Sequence, residues 1–106
     1  MKTKPMEILV FKSSPTIWGA QALGYDIFAE GETIKEALDN FHVGLAAELA
    51  YCERYKISLS SIGKAPKFFR DILKNWVGEM PKLDSTSTEK ISALIPGHSV
   101  HAFIAG

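Results

Sequence analysis

Cysteine is almost missing from this sequence: Cys52 is the one cysteine in 106 residues, which excludes an internal disulfide and a cysteine-rich metal site. Long hydrophobic runs are missing too. The longest, Val43–Ala47, falls far below the ~20 apolar residues that a membrane span needs. The basic stretch MKTKPMEILVFKSS has an apolar run too short for a secretory h-region, and no small-residue cleavage site follows it. A phosphate-binding glycine loop is absent as well, because Gly19, Gly24 and Gly31 lack the spacing and no Lys-Ser/Thr pair follows them. What remains reads as a cytoplasmic protein of one domain, 1–106. Its 46% hydrophobic content suffices for a single core without staples.

Net charge is also zero, with 12 acids against 12 bases, but the charges are segregated. Between Asp26 and Glu53 seven acids face Lys35 alone, a net of −6. Between Arg54 and Lys82 seven bases face Asp71 and Glu79, a net of +5. Such a split suits a polar partner surface, self-association, or two halves that neutralise each other within the fold.

Hydrophobic spacing predicts an α+β domain. MEILVF at 6–11 is apolar at almost every position and reads as a strand covered on both faces. Ser13–Thr16 makes a turn around Pro15. IWGAQA then alternates, with Trp18, Ala20 and Ala22 on one face and Ile17, Gly19 and Gln21 on the other. YDIFAEG is a third short strand stopped by Gly31, which completes a three-stranded antiparallel meander. Thr33 and Glu36 form a capping box. Ile34, Leu38, Phe41, Leu45 and Leu49 follow at helical spacing, carrying one long core-facing helix through about Tyr55. Gly44 inside that helix costs about 1 kcal/mol relative to alanine and suggests a close packing contact.

Beyond a loop at 57–65, Pro66 suits the first turn of a second amphipathic helix. Its stripe is Phe68/Phe69, Ile72/Leu73 and Trp76/Val77, and Gly78 is its cap. PKLDSTSTEK is a polar connector, Ile91, Leu94 and Ile95 form a short apolar turn or helix, and HSVHAFIA reads as a C-terminal strand.

The spacing offers no chemistry. His98 and His101 fall on opposite faces of an alternating strand, which is wrong for joint chelation, so no metal is expected. His42 flanks the helix beside Phe41, and Cys52 continues its apolar stripe as a small hydrophobe. The carboxylates crowd a capped helix and its approach, where solvation and the helix dipole account for them. No catalytic residue, cofactor or enzymatic activity is expected.

The stretch EGETIKEALDNF, Glu30 to Phe41, resembles the strand-to-helix junction of the HicB family of antitoxins. In that junction a glycine, an acid or polar residue and a threonine precede Glu-Ala; here these are Gly31, Glu32, Thr33, Glu36 and Ala37. The meander before it has the length and order of the family's first strands, so the resemblance covers a core motif of 6–55 and leaves 56–106 as an extension. It implies a partial RNase H-like fold, an antiparallel sheet carrying a helix on one face without nuclease carboxylates. It also implies that the domain binds and neutralises a small basic RNA-cleaving toxin. Many members add a helix-turn-helix or ribbon-helix-helix module. The C-terminal half here matches neither, so direct DNA binding is not expected.

Two uses of the surface follow. Asp26, Glu30, Glu32, Glu36 and Asp39 are the residues expected to meet a basic partner, in a HicB-like antitoxin or a stand-alone member of that family. The alternative is a small nucleic-acid-binding domain using the basic segment 54–82, with Phe68, Phe69 and Trp76 as stacking surfaces. A homodimer is expected in addition, because a small meander exposes strand edges. Its interface is assigned to Phe68, Phe69, Ile72, Trp76, Val100 and Phe103.

Overall fold

The computed structural model describes residues 5–76, 82–83 and 86–105, with backbone alone at 73–76 and 82. Strands β1 (Met6–Ser14), β2 (Ile17–Ala22) and β3 (Phe28–Gly31) form the meander, and helix α1 (Ile34–Tyr55) follows. A 3₁₀ turn (Leu59–Ile62), helix α2 (Lys67–Trp76), strand β4 (Lys82–Leu83), helix α3 (Thr86–Leu94) and strand β5 (Val100–Ala105) complete the order. The fold is α+β. The Gly78 cap and the Trp76 side chain fall outside the described residues.

β1 is central because its sequence is apolar on both faces: Ile8, Leu9 and Val10 are all fully buried. Such a strand needs cover over both faces, which suits the middle of a sheet, and the order β3-β2-β1-β5-β4 sets β2 on one side of it and β5 on the other. β5 runs parallel to β1, from Met6 opposite Val100 to Phe11 opposite Ala105. The sheet is therefore mixed, where the family resemblance implied an antiparallel one.

Alternation on the strands sorts the side chains into two cores. Ile8, Val10, Ala20, Ala22 and Ala102 face α1, meeting Leu38, Phe41 and Leu45, with Ile91 and Ile95 from the α3 region closing the cluster. Trp18 and Leu49 pack against its rim. On the opposite face Leu9, Leu23, Ala65 and Phe103 form a smaller cluster, against which Phe11, Phe69, Ile72 and Ala105 pack. Helix α2 thus covers the second face of the sheet. The rings of Phe28, Phe11, Phe69 and Phe68 run in series there, with successive centroids 6.1, 5.4 and 5.4 Å apart. Gly19 leaves room for them, since a Cβ at that position would lie 2.8 Å from Phe28 and 3.1 Å from Phe11.

Two more sequence expectations change. The polar connector is not all connector: its second half is the first turn of α3, with Glu89 in that turn, where a helix N-terminus favours an acid. Ser87 and Thr88 are buried there despite their polarity, and the Ser87 hydroxyl donates to Asp39 at 3.0 Å. β5 begins at Val100, so His98 precedes the strand rather than alternating within it. Helix α1 ends without glycine: Lys56 takes the left-handed conformation itself (φ 53°), and its N–H donates to the carbonyls of Cys52 and Glu53. Cys52 is buried, as its place in the stripe predicts. No helix among the described residues is long and apolar enough to cross a membrane.

Candidate functional site

The corner where β3 passes into α1 is built around Gly31. A Cβ on Gly31 would sit 2.6 Å from the Ala37 backbone nitrogen and 2.8 Å from the Glu36 carbonyl carbon. The strand can therefore run directly under the first turn of the helix only because that side chain is missing. Thr33 then caps the helix, its hydroxyl accepting from the Glu36 N–H at 3.0 Å. The capping box predicts that Glu36 returns to the N–H of Thr33. Its carboxylate instead accepts from Glu32 N–H, one residue earlier, at a long 3.4 Å.

This geometry brings Glu30, Glu32 and Glu36 to one exposed corner. The Ser13 hydroxyl, near the end of β1, donates to the Glu30 carboxylate at 2.8 Å. Asn40, one turn further along α1, donates to the Glu30 backbone carbonyl at 2.8 Å, taking up an acceptor on the outermost strand. Glu32 lines a depression of about 460 Å³ together with Lys12, Pro15, Thr16, Ile17 and Trp18. The Lys12 ammonium lies 5.4 Å from the Trp18 ring centroid, within cation–π range.

The other two expected carboxylates are placed elsewhere. Asp39 turns towards α3, paired with Lys35 at 2.6 Å and accepting from Ser87. Asp26 lies two residues before β3, on the approach from β2, where it accepts from the Gln21 side chain at 3.1 Å. Sequence spacing does not reveal Ser13, Asn40, Lys12 or Trp18 as members of the corner, because their approach depends on how the hairpin lies over the helix. Asn40 alone leaves a trace, as a polar residue one turn beyond Glu36 on the same side of α1.

The hydrogen bond from Lys35, followed by that from Ser87, lowers the Asp39 carboxyl below its ordinary value. A lowered folded-state pKa stabilises the fold above the unfolded value of about 4, and that stabilisation fades as pH falls through the folded value. Thermal melts across the acid range check this. Asp39→Asn is expected to be less stable than the parent at neutral pH, with the gap closing as the medium is acidified below about pH 4. A gap independent of pH would assign the effect to packing.

The residues expected at a dimer interface are largely used within the chain. Phe69, Ile72 and Phe103 meet on the second face of the sheet, and Val100 packs on the first core, while Phe68 remains exposed. The basic segment is partly engaged too: Lys67 pairs with Asp71 at 2.7 Å, and Arg70 donates to the Ala65 carbonyl. Among the described residues no group of three His, Cys, Asp or Glu side chains could hold a metal ion. No protein-family model, curated protein or solved structure matches the chain.

Proposed function

We propose that this chain is a HicB-like interaction protein that binds and neutralises a small basic RNA-cleaving protein through the corner between β3 and α1. The observation that carries this reading is the exposed set Glu30, Glu32 and Glu36, grouped around Gly31 and Thr33. Gly31, Glu32, Thr33 and Glu36 are among the positions on which the family resemblance rests. Trp18 and Lys12 add an amphipathic depression beside the acids, the mixture of an aromatic anchor and a charged rim that protein partners use. Catalysis has no part in this reading, so the chain itself should leave RNA and DNA intact.

The alternative, binding of nucleic acid by the segment 54–82, draws less support, since Phe69 is turned into the sheet rather than outward. One experiment separates the two. The tagged full-length chain is recovered from its own cells, and co-purifying small proteins and nucleic acids are identified by mass spectrometry and nuclease digestion. A small basic protein is expected, with affinity reduced at least about tenfold by Glu30→Lys combined with Glu32→Lys, since both charges sit at the rim of the contact. Binding of RNA or DNA that is unaffected by those changes and lost on neutralising Lys56 and Lys64 would overturn the reading.

A further inference from the structure

The outward face of α1 is not the charged surface that a solvated helix presents. Val43, Ala47, Ala50 and Tyr51 are exposed along it, Val43 at 66% and Tyr51 at 54%. At 3.6 residues per turn they form one stripe with Asn40, opposite the buried stripe of Leu38, Phe41 and Leu45. Glu36 and Arg54 end that stripe, about five turns and 27 Å apart, at the same angular position on the helix. Both are exposed.

Gly44 lies at the edge of this face. A Cβ there would meet nothing within 4 Å, so no neighbour among the described residues requires its absence. It nonetheless weakens the helix by about 1 kcal/mol relative to alanine. Among the described residues, the close packing contact that its position suggests is not made.

The geometry points to a second copy of this chain as the occupant, its α1 packed antiparallel on the first about a two-fold axis level with Leu45. The charges select that partner and orientation. Glu36 and Arg54 are equidistant from Leu45, so an end-for-end reversal sets Glu36 of one copy against Arg54 of the other, twice. The same reversal places Val43 opposite Ala47. Side chains on a helix lean towards its N-terminus by about one position, which sets Tyr51 of one copy beside Asn40 of the other. Antiparallel helix dipoles add a favourable term. Parallel packing would instead oppose Glu36 to Glu36 and Arg54 to Arg54.

One helix pair gives an interface at the small end of specific contacts, so a dissociation constant on the order of micromolar is expected. Sedimentation equilibrium of the purified chain tests this, together with circular dichroism to confirm that each variant is folded. The parent should reach twice its 11.7 kDa mass at concentrations up to about 200 µM. Ala47→Glu, on an exposed position outside both cores, should weaken dimerisation at least about tenfold with the helical signal unchanged. Arg54→Glu should weaken it too, and Glu36→Lys combined with Arg54→Glu should restore it. A monomer at every concentration, or a dimer indifferent to Ala47→Glu, would overturn the proposal. The test uses the chain alone, so a dimer that captures no basic protein sustains this inference and removes the functional reading.

Discussion

Phe41→Ala is expected to remove about 3–5 kcal/mol of stability, the loss typical of truncating a fully enclosed aromatic. Among the described residues Phe41 is the bulkiest fully buried side chain, in the cluster that joins α1 to β1, β2, β5 and the α3 region. Its truncation opens a cavity where these elements meet, so no single element can close over it. A domain of this size has a total stability of roughly 5–15 kcal/mol, which makes the loss a large fraction of the whole. Urea unfolding followed by helical circular dichroism measures it, with the midpoint displaced and the slope unchanged. A loss below about 1 kcal/mol would mean that the core does not depend on this face of α1.

The same region shows why part of the fold was legible from residues alone. Ile34, Leu38, Phe41 and Leu45 recur at helical spacing over several turns, and no tertiary contact is needed to recognise the pattern. β1 was legible because a run apolar at consecutive positions can be satisfied only by cover on both faces. Its neighbours were not. Nothing local in HSVHAFIA says that it pairs with β1, still less that it runs parallel to it, since pairing is decided by the free edge that β1 offers once β2 is in place. α3 was half hidden for a different reason: Ser87 and Thr88 read as connector, and they are tolerated in a buried first turn through contacts such as that of Ser87 with Asp39. β4, at two residues, is too short to carry a period.

The candidate corner was legible to the same partial extent. Thr33, Glu36 and the acids beside them are local features, and the capping bond forms where the pattern places it. Asp26 and Asp39 joined the expected set only by proximity in sequence. Asp26 stays on the approach to β3, at the end of the strand away from the corner, and the helical turn directs Asp39 towards α3. Adjacent Phe68 and Phe69 illustrate the point again on α2. Both fit an amphipathic stripe, yet only Phe69 packs against the second cluster, because neighbouring residues on a helix diverge by about 100°.

Gly31→Ala is expected to be among the most damaging conservative changes in the chain, though it adds a single methyl group. The added carbon would meet backbone atoms: the Ala37 nitrogen at 2.6 Å and the Glu36 carbonyl carbon at 2.8 Å. A flexible side chain could swing aside, but the first turn of a capped helix moves only as a unit. Relief requires α1 to lift from β3, which would loosen Leu38 and Phe41 in the core and lengthen the Thr33–Glu36 cap. Overpacking of this kind costs typically 1–3 kcal/mol, and the lost contacts place Gly31→Ala at or above the upper end of that range. By contrast Gly24→Ala, where an added Cβ meets nothing within 4 Å, should change stability by less than about 0.5 kcal/mol. Parallel thermal melts of the two variants give the decisive comparison. Equal melting temperatures would show that β3 and α1 separate freely, and that the corner is not the rigid joint on which the grouping of Glu30, Glu32 and Glu36 depends.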